Sequence, residues 1–210
     1  LPAHFLHGKG PQPLTGSRNV NFHDWGSYAA RFAEVEARKN GARLRESMVQ
    51  CASMSSALTN EQFEALLPLA IAWAEERERE ILANGIPLTP EQADDATQVG
   101  VTQPDRVRLL AVEVIPPPDH PLLRAAGELT GLISPFTAGL TLRHGIYVRS
   151  DFIDDRRLIA HELVHTGQYE RFGSIGTFLR QYLAECLSIG YPEAPLEQEA
   201  ILVSARLFDR

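Results

Sequence analysis

Residues 156–173 read RRLIAHELVHTGQYERFG, and this run limits what the chain can become more than any other segment. Leu158, Ile159, Leu163 and Val164 recur at helical steps, and His161 and His165 stand one turn apart on a common face. Two imidazoles stacked in this way can offer ring nitrogens to one Zn²⁺ at about 2.0–2.1 Å. Glu162 follows directly and points beside that face, where a carboxylate reaches an activated water without ligating the metal. Two ligands, a general base and an open coordination position are what metal-assisted hydrolysis of a peptide bond needs. With seven histidines in 210 residues, the pattern arises by chance in about 2% of chains of this composition. The competing reading is an amphipathic helix that carries two histidines for packing alone.

A mononuclear site wants a third protein ligand. Pro195-Leu196-Glu197-Gln198-Glu199-Ala200 opens another helix, and Glu197 lies far enough beyond His165 for a helix-turn-helix return to the site. Glu199 shares that first turn, where any carboxylate is favoured by the helix dipole whether or not it binds metal. Glu185, Glu193 and Asp154 are further candidates.

The rest of the chain supplies the frame. Residues 1–20 read as a flexible arm broken by Gly8, Gly10, Pro11, Pro13 and Gly16. Helices are expected over 25–40, over 42–58 and from Thr59 to about 83, where Thr59 and Gln62 occupy capping-box positions and Pro68 introduces a kink. Thr89-Pro90 starts a short helix that Gly100 ends. Residues 107–115 (VRLLAVEVI) are β-branched and apolar, hence a strand, stopped by Pro116-Pro117-Pro118. A short helix over 122–132 and a hairpin over 138–150, turning near His144-Gly145, precede three helices over 154–171, 175–188 and 196–208. The expected class is α+β and mostly helical, with a small sheet or hairpin ahead of the His161 helix. An arm (1–20), a helical part (21–86) and an α+β part (87–210) describe the organisation.

Composition excludes several functions. A 44% hydrophobic share allows a sizeable core, and a net charge of −7, from 20 basic and 27 acidic side chains, leaves no basic stripe for nucleic acid. The longest apolar run, 66–74, is far short of the ~20 residues a membrane-spanning helix needs. Cys51 and Cys186 are too far apart for a zinc knuckle and too few for a disulfide framework, so two buried thiols are expected. The chain opens at Leu1 without a basic-then-apolar leader, as a processed protein also would, so the start leaves the compartment open; a soluble protein is expected, the cytoplasm slightly favoured over export. His4, His7, His23 and His120 share no metal-ligand spacing. Oligomeric state is not readable.

The stretch from Leu158 to Tyr169 (LIAHELVHTGQY), followed by the Glu-x-x-Ala helix of Glu197 to Ala200, resembles the gluzincin clan of zinc metallopeptidases. It is most similar to small bacterial proteins of unassigned function whose core is a hairpin, an HELxH-x-x-Q helix and a Glu-containing helix. The resemblance covers about 138–203. It implies a zincin-like core with His161, His165 and Glu197 as zinc ligands and Glu162 as base. Several relatives place Asp or Asn directly after the Ala, to support the site; this chain has Ile201. Ligand orientation must then come from elsewhere, from a backbone carbonyl or from Asp154 or Asp155. In zincins a strand edge near the active-site helix holds the peptide, and Gly145, Ile146 and Tyr147 are the candidates here. His144, Tyr169, Tyr182 and Tyr191 are candidate donors to the developing oxyanion, and Gln168 could hold a backbone group or a ligand in place.

The reading is a zinc metallopeptidase acting on a peptide or protein substrate. The alternative is a zinc-binding regulatory or interaction module on a peptidase-like scaffold. A third possibility is a secreted effector that cleaves one specific protein.

Overall fold

The computed structural model describes residues 58–130, 133, 137–190 and 192–209. The arm over 1–20, the helices expected over 25–40 and 42–58, Cys51 and Tyr191 lie outside them. The described residues belong to a unit spanning Met48–Arg210.

Helices surround one four-stranded mixed sheet, the α+β class expected. Helix α1 (Asn60–Asn84) begins with a reciprocal cap. Thr59 Oγ1 accepts from the Gln62 N–H at 3.2 Å, and the Gln62 side chain accepts from the Thr59 N–H at 2.9 Å. Two donors that a helix start leaves open are thereby satisfied. Pro68 lies inside α1 without ending it. At the exit, Gly85 permits a close approach: a Cβ there would lie 2.7 Å from the Ile81 carbonyl oxygen and 2.9 Å from that of Leu109. Strand β1 (Ile86–Pro87) follows, then α2 (Pro90–Gln98), capped by Thr89 and Gln92 in the same way and ended by Gly100 at φ +99°.

Strand β2 (Arg108–Val112) is shorter than the 107–115 strand expected, because its neighbour ends first. It pairs in parallel with β4 (Gly145–Arg149), from Arg108 opposite Gly145 to Val112 opposite Arg149, and β4 then turns into a short helical turn at Ser150–Phe152. Helix α3 (Pro121–Thr130) lies in the crossover, and β3 (Gly139–Leu142) returns antiparallel to β4. The strand order is β1-β2-β4-β3, with β3 at an edge.

The hairpin turns at Arg143-His144, one residue earlier than expected. Arg143 adopts φ +59°, a left-handed conformation that costs a residue with a Cβ about 1–2 kcal/mol. Glu78 of α1 holds it there. Its buried carboxylate accepts from Arg143 Nε and Nη2, both at 2.7 Å, and from the His144 N–H at 3.3 Å. Arg143, left behind by Glu78→Ala, is partly exposed and can turn to water, so the loss is mainly that of its hydrogen bonds and is expected to cost about 1–2 kcal/mol. A lower denaturant midpoint at unchanged slope is the expected signature.

Three helices complete the chain: α4 (Arg156–Phe172), α5 (Ile175–Ser188) and α6 (Pro195–Ala205), all within a turn of the expected limits. Asp155 caps α4 by accepting from the N–H groups of Arg157 and Leu158, and Gly173 at φ +79° ends it. Arg156 anchors the start of α4 to α2 through a two-pronged pair with the buried Asp95 at 2.7 and 2.8 Å. Ala74 and Ile81 of α1 share a core with Leu142, Tyr147, Tyr169, Phe178 and Leu196. Helix α1 and the elements beyond residue 87 thus share one core. Cys186 carries a buried free thiol. Among the described residues no helix is long and apolar enough to cross a membrane.

Candidate metal centre

Helix α4 is enclosed on every side. Each residue from 158 to 169 is buried, not the single apolar face that its sequence pattern suggests. A helix in that position is ordinarily apolar all round, yet α4 buries His161, Glu162, His165, Thr166 and Gln168. A buried polar group without a partner costs on the order of 1–3 kcal/mol, so the partners of these side chains indicate their purpose.

His161 Nε2 and His165 Nε2 lie 3.2 Å apart, with ring planes at 85°. Glu197, in the first turn of α6, places Oε1 3.1 Å from His161 Nε2 and Oε2 3.3 Å from His165 Nε2. The three residues form a buried group that could hold a metal ion. A tetrahedron with metal–ligand bonds of about 2.0–2.1 Å has edges of about 3.3 Å. Each imidazole nitrogen meets a different oxygen of the one carboxylate, and one ligand atom from each residue lies within 4.8 Å of the others, close enough for a single ion to draw them in to such a geometry. Electrostatics agree with the geometry. Burial alone would raise the Glu197 carboxyl, but hydrogen bonds from His161 and His165 hold it well below the usual carboxylate range. Burial likewise opposes a charge on His165, yet its hydrogen bond and ion pair with Glu197 carry its pKa up to about 9. The positive charge held there is a proton shared with Glu197, which a metal ion bound at the same atoms would displace.

The other acidic candidates are engaged elsewhere. Glu199 pairs with Arg171 at 2.7 and 2.9 Å. Glu185 Oε2 accepts from the Leu196 N–H at 2.9 Å, capping α6, whose own cap residue, Ala194, has no side chain for the task. Asp154 and Glu193 are exposed. Asp155 caps α4 and orients no ligand; the Nδ1 of His165 faces Gln168 Oε1 instead, at 2.8 Å.

Glu162 is fixed by strand β3. Thr141 Oγ1 lies 2.7 Å from Glu162 Oε2 and 2.9 Å from the Glu162 carbonyl oxygen. Gly139 faces the same carboxylate so closely that a Cβ there would lie 2.7 Å from Glu162 Cδ. Neither residue stands out in the sequence. The only signal is the two-residue alternation of a strand, which puts 139 and 141 on one face.

The expected peptide-binding strand needs correction. Gly145, Ile146 and Tyr147 lie in β4, which is hydrogen-bonded to β2 on one side and β3 on the other and has no free edge. A Cβ at Gly145 would lie 3.0 Å from Ile81 Cβ, and Ile146 is buried. Tyr147 is buried too, its hydroxyl bonded to Glu80 at 2.9 Å and its pKa pushed up by that burial and that bond to about 12. The edge belongs to β3.

Of the candidate oxyanion donors, Tyr182 alone reaches the cluster among the described residues, donating to Glu197 Oε2 at 3.0 Å. His144 faces Glu170 at 3.1 Å, and Tyr169 is packed in the core with its ring centroid 3.8 Å from that of Phe178. Comparisons of the chain with models of protein families, with curated proteins and with solved structures found no match.

Proposed function

We propose that the chain is a zinc-dependent peptidase in which Glu162 is the general base. The observation that carries this reading is the buried convergence of His161, His165 and Glu197, with one ligand atom from each within 4.8 Å of the others. A zinc ion held there supplies Lewis acidity toward a carbonyl oxygen and lowers the pKa of water. Glu162 takes the proton of the attacking water and passes it to the leaving amine. The Thr141 hydroxyl keeps its carboxylate in one orientation. The outer edge of β3, unpaired among the described residues, takes an extended peptide by strand addition. Tyr182 supplies a donor at the cluster where oxyanion charge develops.

One observation favours a second reading, a zinc-binding regulatory or interaction module without general proteolytic activity. His161 and His165 are each only 7% exposed and Glu162 5%. Elemental analysis of the chain purified without added zinc, followed by incubation with a peptide library, separates the two. Near one zinc per chain, with cleavage lost to a chelator and restored by zinc, is the expected result. Zinc without cleavage of any library member supports the module. No zinc, even after reconstitution, removes both.

The contact between β3 and the base yields a further prediction. Gly139→Ala pushes against the end of the Glu162 side chain and not against backbone, so the fold and the zinc content are expected to persist. The displaced Glu162 is expected to lower kcat about 10²-fold, the scale of loss for a misplaced catalytic group. Parallel measurement of kcat and zinc stoichiometry checks it.

A further inference from the structure

Gln168 follows His165 by three residues on α4 and is completely buried. Its Nε2 lies 2.8 Å from the Leu196 carbonyl oxygen and 3.0 Å from Glu199 Oε2, and its Oε1 lies 2.8 Å from His165 Nδ1. A carboxamide has two hydrogens to give, and here both go to oxygens that have none of their own. The amide therefore cannot be turned around, its oxygen must face the imidazole, and Nδ1 must carry the hydrogen. With Nδ1–H held, Nε2 is the nitrogen of His165 that faces His161 and Glu197 and the one a metal ion would take in place of a proton. The same amide grips α6 at Leu196 and Glu199, on either side of Glu197, so it also sets where the third donor stands. Arg171 keeps Glu199 in place from α4, with bonds to both carboxylate oxygens.

We infer that Gln168 is a positioning residue of the metal centre, fixing the tautomer of His165 and locking His165 to the helix that carries Glu197. The inference rests on reading His161, His165 and Glu197 as metal ligands. Its consequence is a metal affinity that depends on an amide that itself binds no metal.

Zinc affinity of the full chain, measured by competition with a chromophoric chelator, tests it. Gln168→Met keeps the volume and removes all three hydrogen bonds. It is expected to weaken zinc about 10–100-fold and to alter the visible spectrum of the Co²⁺-loaded chain. A residue that merely packed would change thermal stability and leave affinity and spectrum as they were; that result overturns the inference and leaves the metal centre standing. An unaltered chain that binds no zinc overturns the metal centre and the inference together. Should Gln168→Met fail to fold, the half-buried Glu199 provides the second test. Glu199→Ala frees one amide hydrogen of Gln168 and is expected to weaken zinc about tenfold; unchanged affinity there also overturns the inference.

Discussion

Replacing Glu162 by Gln is expected to lower peptide hydrolysis by about 10²–10⁴-fold, the usual worth of a positioned general base, while the zinc content stays that of the unaltered chain. The exchange keeps size and shape and removes only the capacity to accept a proton. The oxygen of the new carboxamide can still accept from Thr141 Oγ1, the bond that holds the native carboxylate at 2.7 Å, so the side chain keeps its place against β3. Glu162 is not one of the converging donors, so metal affinity has no reason to fall. The loss should therefore appear in kcat and equally in kcat/KM, with KM little changed. Gly139→Ala is predicted to resemble it, because it moves the same carboxylate. Undiminished turnover by Glu162→Gln would sink the assignment of Glu162 as base and shift weight to the non-catalytic module.

The second large effect is expected at Glu197. Glu197→Ala removes the acidic member of the cluster and the only one that α6 supplies. Two imidazoles 3.2 Å apart are then left without the carboxylate that both of them face. Loss of an outer partner of a metal ligand costs about 10–100-fold in affinity, and loss of a ligand itself should exceed that, leaving almost no zinc on the purified variant. A thermal measurement gives an independent check. Zinc that binds only the folded chain stabilises it by about 2.7 kcal/mol when free zinc is 100 times Kd. A chelator should accordingly lower the Tm of the unaltered chain and leave that of Glu197→Ala where it was. Full zinc content in the variant would show that another carboxylate, with Glu199 the nearest in sequence, completes the site.

In the proposed metal centre Ile201 can offer no hydrogen bond, and the amide of Gln168, on α4 and reaching α6, is the group placed to orient the ligands. The Arg171–Glu199 pair behind it belongs to the same arrangement.

What the sequence determines by itself is local. The capping boxes at Thr59 and Thr89, the glycine stops at Gly100 and Gly173, and the helices around them depend on neighbours within a turn. So does the stacking of His161 over His165, since a helix brings positions four apart together whatever surrounds it. Glu197 is singled out as a candidate ligand by the resemblance of its Glu-x-x-Ala helix, although Glu199, Glu185, Glu193 and Asp154 offer the same chemistry. Only the packing of α6 on α4 separates them, and it does so by engaging Glu199 with Arg171 and Glu185 with the start of α6. The edge strand is not legible at all. Both strands of the hairpin are apolar and β-prone, and which of them lies outermost depends on β2, more than thirty residues earlier, pairing with β4. Burial of α4 on all sides has the same origin: its residues show one apolar face, and much of the other is covered by α2, β3 and α6, which lie elsewhere in the sequence. Short-range sterics and hydrogen bonds act between residues the sequence already places together, whereas strand order and the partners of Glu162 and Gln168 arise only when distant segments bury one common core.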